Sequence, residues 1–221
     1  MGFLLFFLIL ALFFPVLFYP LLIFIALMLI FIPVKFTIDS FFNLFFIPRQ
    51  IYRIAVNPLL RRNHALEHAA VNILEEEYGY SNLSGYATEN GFYIIGADNI
   101  SNVLQAAEKG RQLMSRGEDN LAVHKNCGTS QLMINFSSAI IFLFLLFVTG
   151  QFSIFYIIIA LLLAHLVSSL LGRTVQKSFT TSSDVDQMQI KNAYFEDSSS
   201  FIPVRQNRKV FVQTAKINVI E

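Results

Sequence analysis

Three of the four histidines and the single cysteine of this chain fall in two short strings, HALEH at 64–68 and HKNC at 124–127. Residues four apart on a helix face the same way, so His64 and His68 can offer two imidazole nitrogens to one ion about 2.0–2.1 Å away. Glu67 shares that face. A carboxylate beside a metal-bound water suits a general base, because the ion lowers the water's pKa toward ~7 and the carboxylate takes its proton. His124 and Cys127, spaced HxxC, are the other soft donors outside the apolar stretches, and zinc accepts both nitrogen and thiolate. The expected ligands are therefore His64, His68, His124 and Cys127. The expected ion is a divalent metal, zinc first, and Glu67 is the expected catalytic base. With His124 as third ligand, Cys127 is either a fourth one that closes the site or a packed thiol that leaves a position open to water.

A plainer reading competes. At 100° per residue, Leu66, Ala69, Ala70 and Ile73 form one apolar face, while His64, Glu67, His68 and Val71 lie nearly opposite, as on an ordinary helix with a solvated polar side. Glu75, Glu76 and Glu77, about 10 Å further along the axis, read as a solvated helix end. His165, inside the apolar run IALLLAHLVSSLL, is a candidate proton relay or ligand, or else makes an interhelical hydrogen bond to Asn135 or Ser137.

The elements that must hold these residues follow from composition. Of 221 residues, 55% are hydrophobic, 24 are Phe and 14% are charged, outside the range of soluble domains. Residues 1–34 and 126–172 carry no charge at all. A bilayer core of about 30 Å needs about 20 apolar helical residues, so the expected fold class is an α-helical integral membrane protein with a small α+β domain inserted between membrane segments. Residues 1–34, interrupted by Pro15 and Pro20, read as one kinked span or as a re-entrant hairpin, and without a basic start or cleavage site they are expected to be retained. Residues 35–61 read as an interfacial amphipathic segment (FTIDSFFNLFFI) with a basic linker, 62–130 as the α+β domain, 131–171 as a transmembrane pair and 172–221 as a tail. Lys125, Arg173 and Lys177 flank the pair on one side, which the positive-inside rule makes cytoplasmic, in a bacterial plasma or internal membrane.

Within 62–130, Asn63 is expected to cap a helix to about Glu77, GYATENGFYIIG to form a hairpin turning at Asn90-Gly91, and Asp98 or Asn99 to cap a helix ended by Gly117. In the tail, TTSSDVDQMQIKNAYFE has a helical tone and VFVQTAKINVI alternates like a strand. A net charge of +1 gives no reason to expect nucleic acid, and the lone cysteine excludes an internal disulfide. The expected partners are the lipid bilayer and an unidentified substrate or protein.

HALEH, then HKNCGTS, then a helix pair and GRTVQKSFTTSSDVDQMQI resembles a bacterial membrane-protein family, the YqhQ-like predicted metal-dependent enzymes, and a smaller group of their relatives. The likeness covers about residues 60–195. The family's pattern runs HGAEH, HPRCGTS, a GLWLQ-type run and TTxxPDDxQ-like residues. Its positions correspond here to His64, Glu67, His68, His124, Cys127, Gly128, Thr129, Gln176, Thr180, Thr181, Asp186 and Gln187. Ala65-Leu66, Lys125-Asn126 and Ser183-Asp184-Val185 depart from it without touching the ligands. The resemblance implies a metal site and names no substrate. HxxEH also reverses the HExxH of zinc peptidases, but inverted peptidases take a third ligand from a Glu many tens of residues downstream, which here falls in an uncharged stretch. Two functions compete: a membrane-anchored metal-dependent hydrolase, and a scaffold or assembly factor whose closed metal site staples a small domain. A metal-free partner-binding domain is a third.

Overall fold

The computed structural model describes residues 2–13, 15–196 and 209–217. In chain order its elements are helices α1 (Gly2–Phe13), α2 (Pro15–Ala55) and α3 (Pro58–Glu77), strands β1 (Ser84–Thr88) and β2 (Gly91–Ile95), helices α4 (Ile100–Ser115), α5 (Gly128–Thr149) and α6 (Ile154–Val175), and strands β3 (Met188–Glu196) and β4 (Lys209–Lys216). A 3-10 turn, Asp119–Ala122, precedes α5, and a π-helical turn, Gln176–Thr180, extends α6. The chain divides into two compact units, Met1–Phe45 with Asn135–Leu166, and Phe46–Ile134 with Val167–Glu221.

The first unit is apolar helix. Small residues let its helices approach closely: Ala139, Ala160 and Ala164 are buried, and the Phe36 ring meets Phe142 edge-on with centroids 4.9 Å apart. Large apolar side chains point outward instead, with Leu27 58%, Leu162 63% and Phe147 84% exposed. Among the described residues two helices, Phe18–Ala55 and Gly128–Thr149, are long and apolar enough to cross a membrane, and a third counts if Ile154–Ser168 and Leu170–Thr180, bent by 49°, form one span. Ring centroids of Phe7 and Phe18 lie 6.4 Å apart, where a straight helix would rise about 16 Å between them, so α1 does not continue the axis of α2. The stretch from 35 to 55, expected as a separate interfacial segment, is instead continuous with the helix before it. Proline removes one backbone donor rather than the whole ladder, and around Pro33 the Thr37 hydroxyl caps its carbonyl at 2.7 Å while Lys35 pairs with Asp39 one turn on.

The second unit is a two-layer α/β sandwich. Its antiparallel sheet has the order β1-β2-β4-β3, and α3 and α4 lie on one face. Phe92, Ile94, Val210, Val212 and Met188 from the sheet close on Leu66, Ala70, Leu74, Val103 and Ala107 from the helices. A Cβ on Gly110 would lie 2.8 Å from that of Ala69, so the helix crossing depends on glycine there.

Four expectations change. α3 begins at Pro58 under an Asn57 cap whose side chain accepts from the Leu60 amide at 3.1 Å. Asn63 is not a cap: it is buried inside α3, donates to the carbonyls of Thr88 and Glu89, and accepts from the Thr214 hydroxyl. The β1-β2 hairpin forms, but Glu89-Asn90 make the turn, and Gly91 is already in strand with its Cα facing the Val212 carbonyl where no Cβ fits. Residues 188–196 are a strand rather than a helix. A bulge between Ile190 and Asn192 shifts the alternation, so Met188, Ile190, Ala193 and Phe195 face the core and no strict period of two runs through the segment. The α+β domain is consequently not confined to 62–130, since half of its sheet comes from the tail. The helix at 100–115 matches its expectation, with Asn99 accepting from Ser101 and Asn102 and Gly117 at φ +97° closing its end.

Candidate metal centre

α3 carries His64, Glu67 and His68, and all three are turned inward. Ala65 to Val71 are buried without a break, so the solvated polar face expected opposite Leu66 does not exist. α4 and the sheet cover one side, while the 119–122 turn, the start of α5 and the π-turn cover the other.

Each imidazole is oriented by a backbone carbonyl. His64 Nδ1 lies 2.9 Å from the Thr180 carbonyl and His68 Nδ1 2.8 Å from the Ala122 carbonyl. A carbonyl oxygen only accepts, so both Nδ1 atoms carry the proton and both Nε2 atoms present lone pairs. The carbonyls are themselves held. Asn72, one turn after His68, donates to the carbonyls of Leu121 and Val123 on either side of Ala122. The Arg61 guanidinium grips the Thr181 carbonyl at 2.9 and 3.2 Å and the Ser178 carbonyl at 3.3 Å, fixing the π-turn to the start of α3.

Cys127 sits just ahead of α5, where the Thr129 amide donates to its sulfur at 3.3 Å. Its Sγ lies 3.4 Å from His64 Nε2. Donor atoms of His64, His68 and Cys127 all fall within 4.8 Å of one another, the spread that one ion bound at 2.0–2.3 Å would bridge after a small contraction. His68 Nε2 is buried with no hydrogen-bond partner among the described residues. A buried lone pair left unmet costs about 1–3 kcal/mol, and a cation supplies what it lacks.

Glu67 Oε2 is 3.8 Å from His64 Nε2 and 3.7 Å from His68 Nε2. These separations exceed hydrogen bonds, and burial holds both imidazoles below their ordinary pKa, His68 well below, so the carboxyl faces two neutral rings. The Thr180 and Ala122 carbonyls oppose that lowering, and the neighbouring His64 adds to it at His68. Burial likewise pushes Glu67 up to about 8 and the Cys127 thiol upward, the latter against the Thr129 amide. β1 makes the space for Glu67: a Cβ on Gly85 would overlap the Glu67 carboxylate and lie 2.6 Å from the Tyr93 carbonyl.

His124, expected as a ligand, is not brought into this group. It is buried with its ring centroid 6.1 Å from that of His68, and its Nε2 lies 3.4 Å from Glu75 Oε2. Glu75, expected in solvent, is thereby half-buried against His124 and Lys125. Gln176 positions the HKNC segment, accepting from the His124 amide at 3.1 Å and donating to the Ser130 hydroxyl at 2.8 Å. Thr181 caps the π-turn through its hydroxyl, and Asp186 is exposed in the turn before β3. His165 is an exposed residue of α6. The orienting roles of Arg61, Asn72, Gly85, Thr180 and Ala122 escaped the sequence reading. A carbonyl has no sequence signal, Arg61 read as part of a basic linker, and only the i, i+4 spacing of Asn72 from His68 hinted at a shared face.

Fold and site together define a protein of apolar, membrane-length helices joined to an α/β sandwich that buries a His-His-Cys group beside a carboxylate. The chain belongs to the family described as a domain of unknown function, DUF6391, whose model matches residues 59–193, more than half of its length and the whole of the site. It is also 35% identical over 80 residues to an uncharacterized protein of Picosynechococcus sp. (strain ATCC 27264 / PCC 7002 / PR-6), a match covering 32% of this chain and 39% of that one. The chain thus aligns with about two fifths of that relative's length. No solved structure matches it.

Proposed function

We propose that this chain is a membrane-anchored, metal-dependent hydrolase in which His64, His68 and Cys127 hold a divalent ion, zinc by donor type, and Glu67 is the general base. The observation that carries the reading is the pair of carbonyl-anchored imidazoles whose unprotonated Nε2 atoms converge with Cys127 Sγ, that of His68 buried without a partner among the described residues. Ligating histidines typically give their other ring proton to a carbonyl or carboxylate, as both do here. Three protein ligands leave a fourth position for water or substrate, and a bound ion would make that water acidic enough to lose its proton near neutral pH. Glu67, on the same helix face, is placed to receive it. The YqhQ-like resemblance of the motifs supports the same assignment, with His124 moved from ligand to a neighbour that ties Glu75 to the site. Outward-facing Phe and Leu on helices of spanning length support insertion in a bilayer, and Lys125, Arg173 and Lys177 support a cytoplasmic sandwich.

Elemental analysis of the full chain purified in detergent is expected to show one metal per chain, absent from His64→Ala and Cys127→Ser. Glu67→Gln is expected to retain the metal and lose hydrolysis. Metal-free wild type overturns the site, and hydrolysis that survives Glu67→Gln overturns the base.

The burial of Glu67, His68 and Cys127, at 5%, 1% and 8% exposure, favours a second reading, a closed structural site in a scaffold. Cobalt substitution separates the two. A spectrum that responds to added azide reports an open coordination position and an enzyme, and an unresponsive one a staple.

A further inference from the structure

A second polar feature lies beside the metal centre. Asn72, Glu75, Glu76, Lys125, Arg173 and Lys177 are among the residues lining a cleft of about 710 Å³. Its carboxylates come from α3, whereas its cations come from the segment entering α5 and the one leaving α6. Those two helix ends are drawn together where a Cβ on Gly172 would lie 2.7 Å from the Ser130 hydroxyl, and Gln176 bonds the same hydroxyl. Glu75 is already engaged by His124 and, at 3.8 Å, by Lys125. Arg173 and Lys177 have no carboxylate within 4.0 Å among the described residues. Two cations without an ion-pair partner therefore face a cavity, shared with Glu75 and Glu76, at the polar ends of two apolar helices, where the phosphate layer of a bilayer would lie. A guanidinium and an ammonium together match a phosphate's oxygens by charge and hydrogen bonding.

We propose that this cleft binds the phosphate of an anionic membrane-lipid headgroup, through Arg173 and Lys177 with Lys125 at the rim. The inference rests on the membrane placement in the reading above and not on the metal or on hydrolysis. The test uses the full chain in neutral maltoside detergent, titrated with phosphatidylglycerol, with phosphatidylcholine and with inorganic phosphate. Phosphatidylglycerol should bind about tenfold or more tightly than phosphatidylcholine. Arg173→Gln with Lys177→Gln should abolish that preference, the charge-preserving Arg173→Lys with Lys177→Arg should keep it, and so should Arg49→Gln with Arg53→Gln. Inorganic phosphate that binds as tightly as the lipid, and is lost in the same variant, supports the site with free phosphate as its ligand. Equal binding of the two lipids by wild type, or equal loss in both glutamine pairs, overturns the proposal, and the Lys–Arg exchange decides it if the Arg173 and Lys177 glutamine pair does not fold. Flotation with vesicles keeps the two readings apart: a chain that stays behind sinks the membrane placement, and one that floats without headgroup preference sinks the cleft alone.

Discussion

His64 and His68 acquire their ligand geometry from two carbonyl oxygens as much as from their spacing. Thr180 and Ala122 fix the tautomer of each ring, so the lone pairs that meet near Cys127 are already set for the proposed ion. Burial then divides the three donors by readiness. It keeps both imidazoles neutral, which a ligand requires, and keeps the Cys127 thiol protonated above its ordinary pKa, which a ligand does not. Below a raised thiol pKa, binding must expel that proton, and a cation beside Glu67, which burial pushes up to about 8, draws off a second, so affinity should rise by about tenfold or more per pH unit from about pH 6 to 8. Calorimetry in buffers of different ionisation enthalpy should find more than one proton released per ion in the wild type and about one in Glu67→Gln, and none in that variant would place the sulfur outside the site. His124→Ala should leave the metal content unchanged, because its ring is turned to Glu75.

At the scale of elements, the decisive contact is between β1 and α3. Gly85 leaves the slot that Glu67 fills, and the Tyr93 carbonyl behind it belongs to the sheet ladder and cannot withdraw. Gly85→Ala should therefore cost about 1–3 kcal/mol, the usual penalty of overpacking, and should displace Glu67 from the two rings. Denaturant unfolding measures the first, and loss of the proposed hydrolysis at unchanged metal content measures the second. A neutral substitution would mean that the strand is looser than this contact requires. The bulge in β3 acts at the same scale: it breaks the strand's alternation after Ile190, so the segment carries no clean period of two and did not read as a strand.

For the whole molecule, the sandwich is assembled from pieces far apart in the chain. β2 pairs with β4 across more than a hundred residues, with α5 and α6 lying between them in sequence. A two-stranded hairpin is marginal by itself, so the tail is part of the domain that holds the site. Ending the chain after Thr181 keeps every proposed ligand but removes Met188, Val210 and Val212 from the core. The shortened chain should lose metal and become protease-sensitive through residues 62–130, and retention of both would show that the middle segment folds alone.

The sequence by itself determined the apolar helices, the hairpin, the helix after Asn99, and the shared face of His64, Glu67 and His68 on one helix, because charge segregation, turn chemistry and i, i+4 spacing are local. Tertiary structure decided the rest. Whether the polar face of α3 meets water or protein depends on what the 119–122 turn, the π-turn and the start of α5 bring against it. Those segments lie some 50 to 115 residues away, at separations that no local period encodes. The same packing turned His124 toward Glu75, leaving Cys127 as the third donor.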